Sequence, residues 1–531
     1  MSQAVRAMPA QVDRTVADLR QALGVAHVLT DDADRRFYSQ DVYRSGELPA
    51  AVIQPGTVEE LAVALRIVAA AGLAVVPRGG GMSYTDGYLP SRPDSITVDL
   101  LRLNRVVEIN PDDCYVTVEC GATWKDLLDA LAPRGVRTPY WGPLSGVKSS
   151  IGGALSQGSI FLGSGRYGTA ADSVLGLDVV LVDGTLMHLG SHANGRGQPF
   201  LRQFGPDSMG MFLSDCGALG IKTRATFRLV RIPAETRHVS FAFDTADAMF
   251  HALAEVARNE IVSESFGFDP GLQAQRMKRT SFKSDVKALG NVMKAAGGKL
   301  AGLKEGAKVV LAGRSFLDDA KFSAHLSFDG RDAVDVDSKV AVARRILSRG
   351  GNEVENTVPK VMRANPFAEV TSMLGPNGER WVPVHGTVPF SKAPAMFAAL
   401  DSVFAKHGAT LEQYDIDHGY LFATVGIVGT LIEPVMFWPD ERLGFHERVL
   451  DADYLAKLPK YPQNLPARAA VMRVRDELAQ CFMEHGAVSF QLGKFYKYQQ
   501  GLEPSAATFL QQLKRLVDPQ GRMNPDTLGL S

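Results

Sequence analysis

Cysteine is scarce: four in 531 residues. Cys114, Cys120, Cys216 and Cys481 stand apart with no CxxC pair, which excludes a zinc knuckle and a disulfide framework and fits a reducing compartment. No metal site is expected. Long apolar runs are missing too, since nothing approaches the ~20 uninterrupted apolar residues of a membrane span. The start, Met1 to Gln21, has no apolar core followed by a small-residue cleavage site, so the expected location is cytoplasmic. Charge of one sign is also lacking. Lys and Arg number 57 against 58 Asp and Glu, a formal net charge of -1, without the basic excess of a nucleic-acid-binding protein. No repeat of solenoid period is present.

What is there is length and patterning. A chain of 531 residues exceeds what one hydrophobic core supports, so at least two domains are expected. Thr57 to Gly72 reads as a helix, with Thr57 and Glu60 in a capping-box pattern and Val58, Leu61, Leu65 and Val68 at helical spacing. The β-rich run Leu73 to Pro77 follows, then a glycine loop, then strands at Ile96 to Leu100 and Tyr115 to Glu119. A second helix is predicted over Thr123 to Ala132. Further strands are predicted at Leu177 to Gly184, with a tight turn at Asp183-Gly184, and at Lys222 to Val230. Near Pro233 the texture becomes more polar and richer in lysine, which sets the first boundary there.

Arg276 to Arg314 holds ten Lys or Arg against only Asp285 and Glu305, an excess of eight positive charges. Lysines interspersed with Val292, Met293, Leu300, Leu303, Val309 and Leu311 suit an interfacial amphipathic segment, and equally a solvated surface insertion.

Three glycine-rich segments carry the chemistry. In Pro77 to Pro90, successive glycines let several backbone N–H groups turn toward one anion without Cβ obstruction, which suits a diphosphate. The loop lacks both the helix-opening GxGxxG spacing and the Gly-Lys-Ser/Thr ending of a P-loop, and alone it equally fits a structural turn. Trp141 to Gly184 places Gly152, Gly153, Gly158, Gly163, Gly165 and Gly168 among small polar residues, permitting close backbone approach to an extended ligand. Ser214 to Phe227 carries a Gly-Ala-Leu-Gly turn entering a strand.

In their order along the chain these segments resemble the vanillyl-alcohol-oxidase/p-cresol-methylhydroxylase superfamily of FAD-linked oxidoreductases. The resemblance runs through Pro55-Gly56-Thr57, the Arg78 loop, Val118 to Ala122, Ile151-Gly152-Gly153, Arg166-Tyr167-Gly168, Asp183-Gly184 and Leu219-Gly220-Ile221, and covers about Ala51 to Val230. Leu516 to Leu530 looks like the family's closing segment, while Trp381 to Ser391 and Thr430 to Glu441 resemble parts of its cap.

The resemblance implies an α+β fold: a two-part PCMH-type FAD-binding domain (1–233, rejoined by 496–531) and an α+β cap or substrate domain (234–495) with a central antiparallel sheet. It implies FAD contacts from Arg78, Gly79, Gly80, Gly81, Met82, Ser83, Pro143, Ile151, Gly152, Gly153, Ser156, Gly158, Arg166, Tyr167, Gly168, Gly220, Ile221 and Asn524. Met82 stands where many relatives attach FAD through a histidine, and Glu433 or Pro434 falls where others use a cap histidine, so non-covalent FAD is expected.

The hydroxy-acid branch's histidine position is Val488, and the phenolic branch's Tyr-Arg pair is matched by Phe490-Gln491. Candidate catalytic residues are therefore Lys494, the preferred anchor for an anionic or hydroxyl group, with Glu433, His418, Tyr496 and His385. Each has a bland alternative, such as a loop histidine or a carboxylate paired with a base. The expected activity is oxidation of an alcohol or hydroxy-acid by hydride transfer to FAD. Oxygen, a quinone or a cytochrome would be the electron acceptor, and 276–314 would dock on the anionic inner face of a membrane. Two alternatives stand beside it: an FAD-dependent transferase without net redox change, as in the alkyl-glycerone-phosphate synthase branch, and a non-catalytic electron-transfer subunit.

Overall fold

The computed structural model describes residues 10–278, 322–367 and 370–530. Most of the basic segment, 279–314, lies outside the described residues.

Local signals in the first half act as the sequence predicts, with small displacements that have physical causes. The first predicted helix runs Val58–Ala70, and the Thr57 hydroxyl accepts from the Glu60 N–H. The Glu60 carboxylate reaches back one residue further than a capping box does, accepting the Gly56 N–H at 2.7 Å. The helix buries Val58, Leu61, Ala64, Leu65 and Val68, each of the larger ones stabilising the fold by about 1.5–3 kcal/mol. Trp124–Leu131 forms the second helix, with a reciprocal box between Thr123 and Asp126. The strand expected from Leu177 starts earlier and ends sooner, at Val174–Val180. Asp183-Gly184 belongs to the turn that follows, where Asp183 accepts the Thr185 N–H and Gly184 has a φ of 81°.

Three main sheets organise the chain. A four-stranded mixed sheet contains Val28–Leu29, Ala51–Ile53, Ser95–Asp99 and Ala74–Arg78 in that order. A five-stranded antiparallel sheet contains Val106–Asn110, Tyr115–Glu119, Ile221–Arg228, Val174–Val180 and Leu186–Gly190. From Glu235 onward the chain builds a larger antiparallel sheet whose middle is Phe322–Gly330, Glu264–Phe268, Asp417–Val425 and Gly429–Trp438. The protein is thus α+β, with an antiparallel sheet at the centre of the cap.

The tail returns to the first sheet. Val75 donates to Arg522 O and Asn524 to Val75 O, and Met523 is fully buried in that core. A buried charge cluster ties the halves together: Arg137, next to the five-stranded sheet, meets Asp329 at 3.0 Å, and Arg363 meets Glu264 at 2.6 Å and Asp329 at 2.5 Å. No helix among the described residues is long and apolar enough to cross a membrane.

Candidate active site

The strand Ala74–Arg78 delivers the glycine loop to the seam between the first half and the cap. The loop is packed so closely on Lys148 to Ser150 that a Cβ on Gly80 would lie 1.8 Å from Lys148 O, and one on Gly79 2.1 Å from Ser150 Oγ. Only glycine fits there. Among the described residues, the backbone N–H groups of Gly79, Gly80, Gly81, Met82 and Ser83 donate to no protein acceptor. All five residues line one cavity of about 730 Å³. Consecutive donors without acceptors on a cavity wall suit an anionic group, because unpaired buried N–H groups are otherwise costly.

Arg78 supports this loop from behind. Its guanidinium donates to Tyr38 O and Gln40 O and lies within the rings of Phe37, Tyr38, Tyr88 and Phe445. The opposite wall comes from Pro143, Gly152, Gly153, Ser156, Gly220 and Ile221.

The cap closes the cavity with one strand face. In Gly429–Trp438, alternate residues Leu431, Glu433, Val435 and Phe437 all line it, as the two-residue period of a strand dictates. Leu421, paired with Glu433 on the neighbouring strand, lines it as well. Glu433 is the polar exception in this apolar row. Among the described residues it has neither a cation nor a hydrogen-bond donor, and burial alone pushes its carboxyl from the ordinary 4.5 up to about 7. Tyr84 stands close by; its hydroxyl accepts from Gln491 Nε2 at 3.2 Å, and burial, then the Glu433 charge, push its pKa well above the ordinary phenol value.

Several predicted site residues lie elsewhere. Lys494 was expected to anchor substrate, but its ammonium donates to Leu89 O at 2.6 Å, Asn524 Oδ1 at 3.0 Å and Asp86 O at 3.5 Å. A buried ammonium takes carbonyl partners where it finds them, and burial lowers this one to about 8. Asn524 extends the clamp by donating to Gly87 O and Cys216 O. Neither residue lines the cavity.

Arg166 is exposed and rests on Tyr167, away from the cavity. Gly168 is set by the capping box of Thr169 and Asp172, whose carboxylate lies 2.4 Å from where its Cβ would be. Gly158 ends the helix Ile151–Gln157 in the left-handed region, and Ile151 is core. His418 stacks flat on Phe404 at 4.0 Å, outside the cavity.

Tyr496 accepts the His385 N–H at 2.9 Å. His385 itself stacks at 3.9 Å on Phe490, one layer behind the wall, and burial holds it neutral at about 3. Sequence reasoning missed Tyr84, Gln491 and Trp381. Tyr84 had one signal, its place directly after the glycine loop; Gln491 had only its alignment with the phenolic branch's Tyr-Arg pair, which gave it no role, and its φ of 51° is a property of the folded turn.

The model of a family described as "FAD binding domain" matches residues 49–190, the stretch that holds the loop and most of its opposing wall. Residues 49–190 are an FAD-binding domain. Its cofactor is FAD. This FAD-binding region is similar to the yeast (Saccharomyces cerevisiae) mitochondrial D-lactate dehydrogenase [cytochrome] 1, 33% identical over 247 residues, 45% of this chain and 40% of that one. It is also similar to glycolate oxidase subunit GlcD of Bacillus subtilis, 28% identical over 253 residues, 47% of this chain and 52% of the relative. The chain thus spans about half the length of the curated relatives it matches.

Across nearly all of this FAD-binding protein, the fold is that of p-cresol methylhydroxylase (TM-score 0.74, 17% identity, 99% of this chain and 98% of that one). It is also that of an alkyldihydroxyacetonephosphate synthase (TM-score 0.70, 16% identity, 98% and 86%). The residues present fit FAD: the free N–H row would hold the diphosphate, with the Gly152-Gly153 and Gly220-Ile221 walls closing on the rest.

Proposed function

We propose that this protein is an FAD-dependent oxidoreductase acting on an alcohol or hydroxy-compound, with FAD held non-covalently and Glu433 as the base. One observation carries the reading: a carboxyl without a partner among the described residues, pushed up to about 7 by burial, shares a cavity with the free N–H row of the glycine loop. A base of that acidity is half-ionised near neutral pH, the condition that general-base catalysis favours. FAD, when bound, supplies the acceptor of a hydride. Glu433 accepts the substrate's hydroxyl proton as the carbinol C–H leaves with its electron pair, so the product is the carbonyl compound. The two electrons pass on to oxygen, a quinone or a cytochrome. Tyr84 and Gln491 orient the hydroxyl beside Glu433, and the apolar row excludes water.

Met82, at the cavity, offers a thioether and no nucleophilic nitrogen, which supports a cofactor without a covalent tether. The charge of 276–314 alone supports docking on an anionic membrane surface at the cytoplasmic side, tested by co-sedimentation with anionic vesicles at low salt.

Likeness in fold to alkyldihydroxyacetonephosphate synthase supports a second reading, a redox-neutral transfer. Anaerobic mixing of the holoprotein with hydroxy-compounds separates the two. Net oxidation bleaches the yellow flavin and leaves it reduced; redox-neutral transfer gives product with the colour retained at the end of turnover.

A further inference from the structure

The cavity carries a one-sided charge pattern. Among the described residues two permanent cations line it, Arg78 and Lys222, both from strands of the first half of the chain. Arg78 is engaged by the carbonyls and rings behind the loop, and Lys222 is buried against Asp215 at 2.5 Å. The imidazole of His325 bonds Ser240 Oγ at 2.9 Å and Ser323 Oγ at 3.1 Å. On the cap side the ionisable groups besides that imidazole are two carboxyls, Glu433 and Glu355. The remainder of that wall is apolar, with Phe268, Val358, Met362, Trp381, Leu431 and Phe437 prominent.

Among the described residues, a carboxylate or phenolate entering the cap side of this space would lose its hydration, meet no permanent counter-charge and face like charge. Each is unfavourable, and together they select against anions. A neutral hydroxyl meets the opposite situation: it donates to the Glu433 carboxylate while its carbon body lies on the apolar row. From this we infer that the substrate is an uncharged hydroxy-compound with a largely apolar body, an aliphatic or benzylic alcohol rather than a hydroxy acid or a phenolate. The inference rests on the reading of this cavity as the place where a hydroxyl is oxidised. It places the chain apart from relatives named for D-lactate and glycolate.

The test uses the oxidised holoprotein at about pH 8, where Glu433 is ionised, titrated with octanol against octanoate and benzyl alcohol against benzoate. Binding is read as perturbation of the flavin spectrum. The alcohols should bind about tenfold or more tightly than the matched carboxylates. Leu431→Arg, which adds a cation to the same strand face, should reverse the order. Carboxylates binding wild-type protein as tightly as the alcohols would overturn the inference, whether or not the variant folds, and so would the absence of binding by either class. Anaerobic bleaching, followed separately, keeps the two claims apart. Bleaching by hydroxy acids but not by neutral alcohols sinks the inference and leaves the oxidoreductase reading standing. No bleaching by any hydroxy-compound, from a flavin that dithionite still reduces, sinks the reading itself.

Discussion

Glu433→Gln should make the protein more stable and less active, and the size of both effects follows from the cavity. Burial without a partner moves the carboxyl from 4.5 to about 7. At about 1.4 kcal/mol per pH unit, keeping it ionised in the folded state costs about 3 kcal/mol. The sign follows from a folded value above the unfolded one: the penalty is absent below about pH 4.5, grows between the two values and is complete above about pH 7. The amide has no such titration. With saturating FAD, so that cofactor linkage does not differ between samples, the thermal midpoint of Glu433→Gln should match wild type near pH 4.5 and exceed it near pH 8. Flavin fluorescence on heating reads this directly. Over the same series, anaerobic flavin reduction by substrate should slow by about 10²–10⁴ in the variant, the usual contribution of a positioned base. A midpoint difference that does not change with pH would refute the unpaired, desolvated carboxylate. A variant that reduces flavin at the wild-type rate would refute its role as base.

Three further outcomes follow from other parts of the site. Gly80→Ala places a methyl where Lys148 O already lies, so the loop must move; FAD affinity should fall about tenfold or more by fluorescence titration, and unchanged affinity would mean that the loop does not hold the cofactor. Acid precipitation of the holoprotein should leave the yellow colour in the supernatant, whereas a coloured pellet would show a covalent link. Lys494→Ala strips the donor from Leu89 O and Asn524 Oδ1, at about 1–3 kcal/mol for each group left unpaired. It should lower the thermal midpoint and loosen FAD, while the pH dependence of flavin reduction stays as in wild type; an altered pH profile would return Lys494 to the chemistry.

The glycine-loop side was legible because backbone lines the cavity there, and backbone geometry leaves glycines and caps in the sequence. Thr57, Thr123 and Gly79 to Gly81 each mark a place where few residue types fit. Position in a familiar order was less reliable for side chains. Arg78 and Lys494 are long and cationic, and both spend their donors on carbonyl oxygens, Lys494 outside the cavity altogether, which no linear pattern records. Arg166-Tyr167-Gly168 lies at a local cap and outside the cavity wall.

The cap residues were nearly invisible one at a time. Glu433 becomes distinctive only once strand alternation puts Leu431, Val435 and Phe437 on the same face. Tyr84 and Gln491 meet across more than four hundred residues of chain, a contact that only the fold creates.

The central claim is that hydroxyl oxidation and flavin reduction are one event in this cavity. Its most direct test is a single anaerobic turnover of the holoprotein with a neutral alcohol carrying deuterium on the carbinol carbon, following flavin absorbance and carbonyl product together. One carbonyl should form per flavin bleached, with deuterium slowing both equally. Carbonyl or transfer product appearing while the flavin stays oxidised, or bleaching without a matching carbonyl, would contradict the account.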